Sequence, residues 1–117
     1  MSALALAQQY MELVFTRGDF IALRPLLADS LSFQGPWYCF NTADDYINAL
    51  LSDPPQDFAY KMLKTYEDDT SACLVYQFIK PGVATIMMQL FEIKDDKINS
   101  ILLLFDTAAF NNHLEPH

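Results

Sequence analysis

The stretch INSILLLFDTAAF, residues 98–110, sets an aliphatic run, Ile101 to Leu104, against Phe105 and then a carboxylate, Asp106. A carboxylate on an apolar, water-poor wall loses hydration, so its pKa rises toward the range where it takes and returns a proton near neutral pH. The same residue is equally a favoured N-cap, and ahead of TAAF it is placed to start a helical turn. On residue types alone the two readings stand level. Tyr76 and Gln89, set among apolar residues, offer either the orienting hydrogen bonds of a mostly apolar binding site or a satisfied polar pair in a core. Met62, Met87 and Met88 have the flexibility of gap-fillers.

Other combinations carry less chemistry. Cys39 and Cys73 show no metal-ligand or C-x-x-C spacing and read as reduced thiols. His113, Glu115 and His117 form a tail pattern, and Glu67 to Asp69 lack the spaced oxygens of a calcium loop. Neither a metal nor a cofactor is expected.

The elements that must position these residues divide into a helical half and a strand half. Residues 3–17 have helical spacing at Leu4, Met11, Val14 and Phe15, with Ser2 placed to cap and Gly18 to stop the helix. Asp19 can cap a second helix over residues 20–29, shortened or kinked by Pro25. A brief strand over residues 31–34 runs into Gly35-Pro36 and an aromatic loop with Trp37 and Tyr38. Thr42 and Asp45 approximate a capping box for a third helix over residues 43–52, which Pro54-Pro55 forbids from extending. From Asp57 the period falls to two, and turn signals at residues 67–70, 80–83 and 94–97 divide four antiparallel strands. The layout is α+β: three N-terminal helices on an antiparallel sheet, in one domain spanning residues 1–117.

Two-residue turns at Pro81-Gly82 and Asp95-Asp96 predict the register. They set 78 against 85, 76 against 87 and 74 against 89, then 91 against 100, 89 against 102, 87 against 104 and 85 against 106. Asp106 then shares a face with Tyr76, Thr85, Met87, Gln89, Phe91, Leu102 and Leu104. The opposite face holds Cys73, Val75, Ile79, Ile86, Met88, Leu90, Ile101, Leu103 and Phe105. A β-bulge would invert this parity and exchange the two sets. Because both faces are apolar and three helices cover only one, a homodimer through the outer face of the sheet is expected.

With 117 residues, 52% of them hydrophobic, the chain can bury a core without staples. A formal net charge of -8 repels phosphate backbones and anionic lipid, so neither nucleic acid nor a membrane is an expected partner. The start MSALALAQQY lacks a signal peptide's pattern and no apolar run reaches membrane-spanning length. A cytoplasmic protein is the expectation.

The element order, together with Tyr10 to Asp19 closing on Gly-Asp, LLAD at residues 26–29 and ILLLFD at residues 101–106, resembles the nuclear transport factor 2-like superfamily. Within it the SnoaL-like branch, with its polyketide cyclases, is most similar. That resemblance implies a strongly curved sheet wrapped around three helices as a cone enclosing an apolar pocket, and dimers through the convex face. It implies that Asp106 points into the pocket as acid/base. By the same resemblance Tyr10 either donates to a carbonyl or enolate oxygen or merely packs, Trp37 and Tyr38 either lid a ligand or plug the cone, and Tyr76, Met87, Gln89, Phe91 and Leu104 line the ligand site. Gly35 stands where ketosteroid isomerases carry an aspartate before proline. Arg17 and Arg24 lie off the sheet, unlike the arginine of limonene epoxide hydrolases, and the histidines of scytalone dehydratases have no counterpart outside the tail.

Two functions follow. One is a small-molecule-binding domain that performs cofactor-free proton transfer on an apolar or aromatic carbonyl compound, as isomerase, cyclase or dehydratase, with Asp106 and Tyr10 as its catalytic pair. The alternative is a non-catalytic dimeric ligand-binding or protein-interaction module using the acidic surface and the loop around Trp37.

Overall fold

The computed structural model describes residues 2–110, so His113, Glu115 and His117 lie outside the described residues. Helix α1 (Ala3–Met11) starts where the Ser2 side chain accepts from the Ala5 amide at 3.1 Å. It buries Ala3, Leu6, Ala7, Tyr10 and Met11, the i, i+3, i+4, i+7 stripe of an amphipathic helix. A π-helical turn (Glu12–Arg17) continues it, and the amides of Gly18 and Asp19 both reach back to the Leu13 carbonyl. Gly18 adopts φ 60°, which a residue without Cβ reaches at no steric cost. The wider pitch carries Phe15, five residues beyond Tyr10, to the same side of the helix.

The second helix is shorter than its sequence predicts. Asp19 caps α2 (Phe20–Leu23), a 3₁₀ turn follows (Arg24–Leu26), and strand β1 (Leu27–Gln34) begins at once. Leu27 and Leu31 are fully buried, and Leu27 pairs with Ile98 in a neighbouring strand. Sheet pairing thus overrides the helical pattern of residues 27–29, where Pro25 has already removed one helical donor. A tight turn, with the Gly35 amide on the Tyr38 carbonyl at 2.8 Å, leads to β2 (Cys39–Phe40). Helix α3 (Ala43–Ser52) occupies the predicted span, with Thr42 Oγ1 accepting from the Asp45 amide.

The remaining strands are β3 (Ala59–Glu67), β4 (Ser71–Lys80), β5 (Val83–Lys94) and β6 (Lys97–Phe105). With β1 and β2 they form one six-stranded sheet in the order β2-β1-β6-β5-β4-β3. Every pair is antiparallel except β1 with β6, so the sheet is mixed rather than purely antiparallel. Gly82 (φ 83°) follows Pro81 as a type II turn requires, and Asp95 and Asp96 (φ 55° and 61°) form a left-handed hairpin turn. Between β3 and β4, Asp68 Oδ1 accepts from the Thr70 and Ser71 amides and the Ser71 hydroxyl, which holds its carboxyl below the usual range.

Strands β4 and β5 pair as predicted, with 74, 76 and 78 opposite 89, 87 and 85. The β5–β6 register departs from the prediction after two steps. Ile93 opposes Ile98 but Glu92 opposes Ser100, so Asn99 is an extra residue in β6. Beyond that bulge 91 faces 101, 89 faces 103 and 87 faces 105. The expected pairs 91 with 100, 89 with 102, 87 with 104 and 85 with 106 are therefore corrected by one residue, and β6 turns over.

The inner face consequently carries the rows Ala72–Phe91–Ile101, Leu74–Gln89–Leu103 and Tyr76–Met87–Phe105. The outer face carries Cys73–Leu90–Leu102 and Val75–Met88–Leu104. Helix α1 and the π turn cover the inner face, with the Tyr10 ring edge-on to Phe91 at 5.0 Å. Leu6, Met11, Leu23, Leu74, Phe91, Ile98 and Ile101 are buried there, each such aliphatic or aromatic side chain contributing about 1.5–3 kcal/mol. Among the described residues no helix is long and apolar enough to cross a membrane.

Candidate ligand-binding site

The helices cover only part of the inner face. Beside them lies a cavity of about 690 Å³ whose wall is largely aromatic and aliphatic. Tyr10, Val14 and Phe15 reach it from α1 and the π turn, Phe33 from β1, and Tyr46, Ala49 and Leu50 from α3. The sheet contributes Tyr76, Phe78, Met87, Gln89, Leu103 and Phe105. Gly35, Pro36, Trp37 and Tyr38 border it in the loop after β1, Ser52 to Pro55 at the end of α3, and Phe40, Phe58, Lys80 and Phe110 also line it.

Four polar side chains meet on this wall. The Tyr10 and Tyr46 hydroxyls are hydrogen-bonded to each other, and Tyr76 donates its hydroxyl proton to Gln89 Oε1 at 2.8 Å. Tyr76 and Gln89 come together because 76 opposes 87, which makes 89 its diagonal neighbour on the same face. All four residues are buried, and the described residues contain no buried side-chain polar atom without a partner. Two phenols joined by one hydrogen bond retain one further O–H, so whichever of Tyr10 and Tyr46 donates, one proton is left to give.

Burial pushes the Tyr10 phenol up to about 12, against the opposing pull of hydrogen bonds with Tyr46 and Gln89. Burial raises Tyr46 further, aided by the charge and the hydrogen bond of Tyr10. Tyr76 is raised chiefly by burial as well. All three are therefore neutral donors at physiological pH and cannot serve as bases there. A pKa raised in the folded state gives a stability contribution that is complete below the unfolded value near 10 and lost as pH climbs through about 12. In an alkaline titration followed at the phenolate absorbance band, these three tyrosines are expected to ionise together with unfolding. Smooth ionisation of all six tyrosines in a folded chain would contradict it.

The residues singled out by sequence fall on both sides of this wall. Tyr10, Trp37, Tyr76, Met87 and Gln89 line the cavity. Phe91 does not; it is completely buried beneath Tyr10 and supports the wall from behind. The β6 bulge turns Leu104 outward, 51% exposed, in the row with Val75 and Met88. The predicted seat of Asp106 beside Thr85 is likewise corrected. Asp106 is exposed beyond the end of β6, outside the cavity lining, and its Oδ1 accepts from the Ala108 amide at 2.9 Å. It acts as the N-cap of a helical turn over residues 108–110, and that turn brings Phe110 back over the cavity.

Phe110 closes an aromatic rim. Its ring lies 5.3 Å from Phe105 and 5.8 Å from Phe78, while Trp37, half exposed, sits edge-on to both Phe105 and Phe110 at 5.0 and 5.1 Å. Tyr46 was legible as part of the inward stripe Ala43, Tyr46, Ile47 and Leu50 of α3, but that stripe gives no sign of its hydroxyl partner. Phe105 and Leu103 depend on the bulge, and Lys80 joins the lining from the strand end beside a turn. Among the described residues no group of three His, Cys, Asp or Glu side chains converges to hold a metal ion.

No family model and no curated protein matches the chain. Solved structures do. An NTF2-like protein of unknown function from Cytophaga hutchinsonii superimposes with a TM-score of 0.80 at 21% identity, over 95% of this chain and 96% of that one. An LEH-like epoxide hydrolase from M. tuberculosis gives 0.79 at 17% identity, covering 96% and 88%. A ketosteroid isomerase-like protein from Kribbella flavida gives 0.76 at 17% identity, covering 87% and 76%.

Proposed function

We propose, from the NTF2-like fold of this chain and the cavity on its inner face, that it is a small-molecule-binding domain for an apolar or aromatic compound bearing a carbonyl group. The observation that carries this reading is the neutral phenol pair of Tyr10 and Tyr46, buried against an otherwise apolar wall with one O–H to spare. An apolar cavity with a few convergent polar groups is the usual composition of a small-ligand site. Proton transfer on such a carbonyl, as in an isomerase, cyclase or dehydratase, also requires a base beside the ligand. The lining offers Asp53, exposed past the end of α3, and Lys80, and the phenols are too weakly acidic to serve. Binding without turnover is therefore the better supported of the two functions.

A matched pair of ligands tests it. The chain is expected to bind 1-(2-naphthyl)ethanone roughly fivefold more tightly than 2-ethylnaphthalene, the worth of about one net hydrogen bond. Replacing both Tyr10 and Tyr46 by Phe should abolish that preference in isothermal titration. Equal affinities in the unaltered chain would count against the carbonyl.

The outer face supports a second proposal, that two copies associate through it. Ile86, Met88 and Leu104 are 49%, 45% and 51% exposed, and they adjoin Val75, Leu90 and Leu102 in a continuous apolar field. A contiguous patch of this kind on a sheet face marks an interaction surface, and a two-fold pairing would cover the same patch on both copies at once.

A further inference from the structure

The cavity wall carries one ammonium group that its neutral floor does not explain. Lys80 ends β4, half buried, and its Nζ lies 5.7 Å from the Phe58 ring centroid and 5.8 Å from that of Phe110. Both rings line the cavity, so the ammonium is held at its aromatic rim by two cation–π contacts. Among the described residues no carboxylate lies within 4.0 Å of it, the ion pairs being those of Arg24 with Asp29 and Asp44. An acidic chain of net charge -8 has thus set a cation without a carboxylate partner on the border of an apolar hollow. Asp53 is the other charged residue of the lining, but it is exposed, whereas Lys80 is half buried and steered by two rings.

We infer that Lys80 is the seat for an anionic group, so that the ligand is an amphiphilic organic anion: an aromatic or aliphatic body inside the cavity and a carboxylate or sulfonate at the rim beside Phe58 and Phe110. The inference rests on the small-molecule reading and narrows it to a charge class. The geometry favours it because a partly desolvated ammonium gains more from an anion than an exposed one does. The aromatic rim supplies an apolar shoulder for the body next to the charge. An anion held in this way reads its own polarity: its apolar end lies inward, toward the one phenolic proton that Tyr10 and Tyr46 leave to give.

Two fluorescent naphthalene probes that differ by a single sulfonate provide the test: 8-anilinonaphthalene-1-sulfonate and its neutral counterpart N-phenyl-1-naphthylamine. Lys80→Gln keeps most of the stem and removes the charge, Lys80→Arg keeps the charge, and Ala49→Trp places an indole in the cavity. Lys80→Gln is expected to weaken the sulfonate probe roughly five- to tenfold and the neutral probe less than twofold, as removal of one partly screened charge pair should. Lys80→Arg should restore the anion's affinity, added salt should weaken it only when residue 80 is cationic, and Ala49→Trp should suppress both probes. Equal weakening of both probes by Lys80→Gln, or of neither, would overturn the anion seat while leaving the cavity intact as a binding site. Binding of both probes that is indifferent to Ala49→Trp would overturn the cavity reading itself, and the anion seat with it.

Discussion

Deleting Leu102 is expected to destabilise the fold by about 3 kcal/mol or more, because β6 can then no longer bury both ends of its apolar run. The extra residue Asn99, opposite the Glu92–Ile93 step, sets a parity in which Ile98 and Ile101, three apart, are both buried and Leu103 and Phe105 face the cavity. With Leu102 gone and the bulge kept, Leu103 and Phe105 would turn outward, and Leu104 and the unpaired carboxylate of Asp106 would turn toward the apolar wall. With the bulge given up instead, residues 103 and 105 would stay inward, but Ile101 would face outward and Ser100 inward. Deleting Asn99 itself should cost far less, about 1 kcal/mol, because Ser100 then follows Ile98 opposite Glu92 and every later pair of β5 with β6 is kept. Urea denaturation compares the two. A Leu102 deletion as mild as the Asn99 deletion would mean that the strand shifts freely and that the bulge does not set the faces.

Met88→Glu is expected to convert a particle of twice the chain mass into a monomer, weakening association by a hundredfold or more. Met88 lies at the middle of the row Val75–Met88–Leu104, on the outer face and away from the cavity. In a lone protomer a glutamate there is half in water and costs little. Across a two-fold interface two such carboxylates would be desolvated near each other without partners, a penalty of several kcal/mol. Sedimentation equilibrium reads the mass, and the melting curve of the variant distinguishes dissociation from unfolding. A monomeric unaltered chain, or a variant that retains the doubled mass, would remove the outer face as the site of pairing.

Much of the fold could be read from local chemistry. Ser2, Asp19 and Thr42 cap the helices their spacing indicates, and Pro81-Gly82 and Asp95-Asp96 turn the chain where strand periodicity breaks. These features depend on a few neighbouring residues, so sequence reports them directly. The start of β1 at Leu27 does not, because it is decided by pairing with Ile98, far along the chain. The parity of β6 was obscured for a different reason. Residues 101–105 are apolar without alternation, so either face could serve, and only Asn99-Ser100 between Ile98 and Ile101 marks an odd spacing that no regular strand can bury on one side. Missing that mark moved Asp106 and Leu104 to the wrong face and left Phe105 and Leu103 off the wall. Tyr76, Met87 and Gln89 keep their predicted face because the β4–β5 pairing sets it and the bulge lies in β6.

Arg24 shows the limit of residue type as a guide to function. Its sequence position off the sheet sets it apart from the cavity, and its guanidinium is spent on structure, spanning Asp29 and Asp44 at 2.7 and 2.9 Å and also donating to the Leu27 carbonyl. Both carboxylates are largely exposed, so these pairs fasten the 3₁₀ turn to α3 at small net gain. Burial in apolar surroundings instead keeps Tyr10, Tyr46 and Tyr76 on the cavity wall protonated, and so able to donate.

In the proposed reading the polar function of this cavity belongs to the buried phenols and not to the aspartate that ends β6. Isothermal titration of 1-(2-naphthyl)ethanone into Asp106→Asn and into the Tyr10→Phe, Tyr46→Phe double variant tests it most directly, because asparagine caps the 108–110 turn as well as aspartate does. The prediction is an affinity within twofold of the unaltered chain for the first and a loss of about fivefold for the second. A ligand lost with Asp106→Asn and retained by the phenylalanine pair would contradict the account.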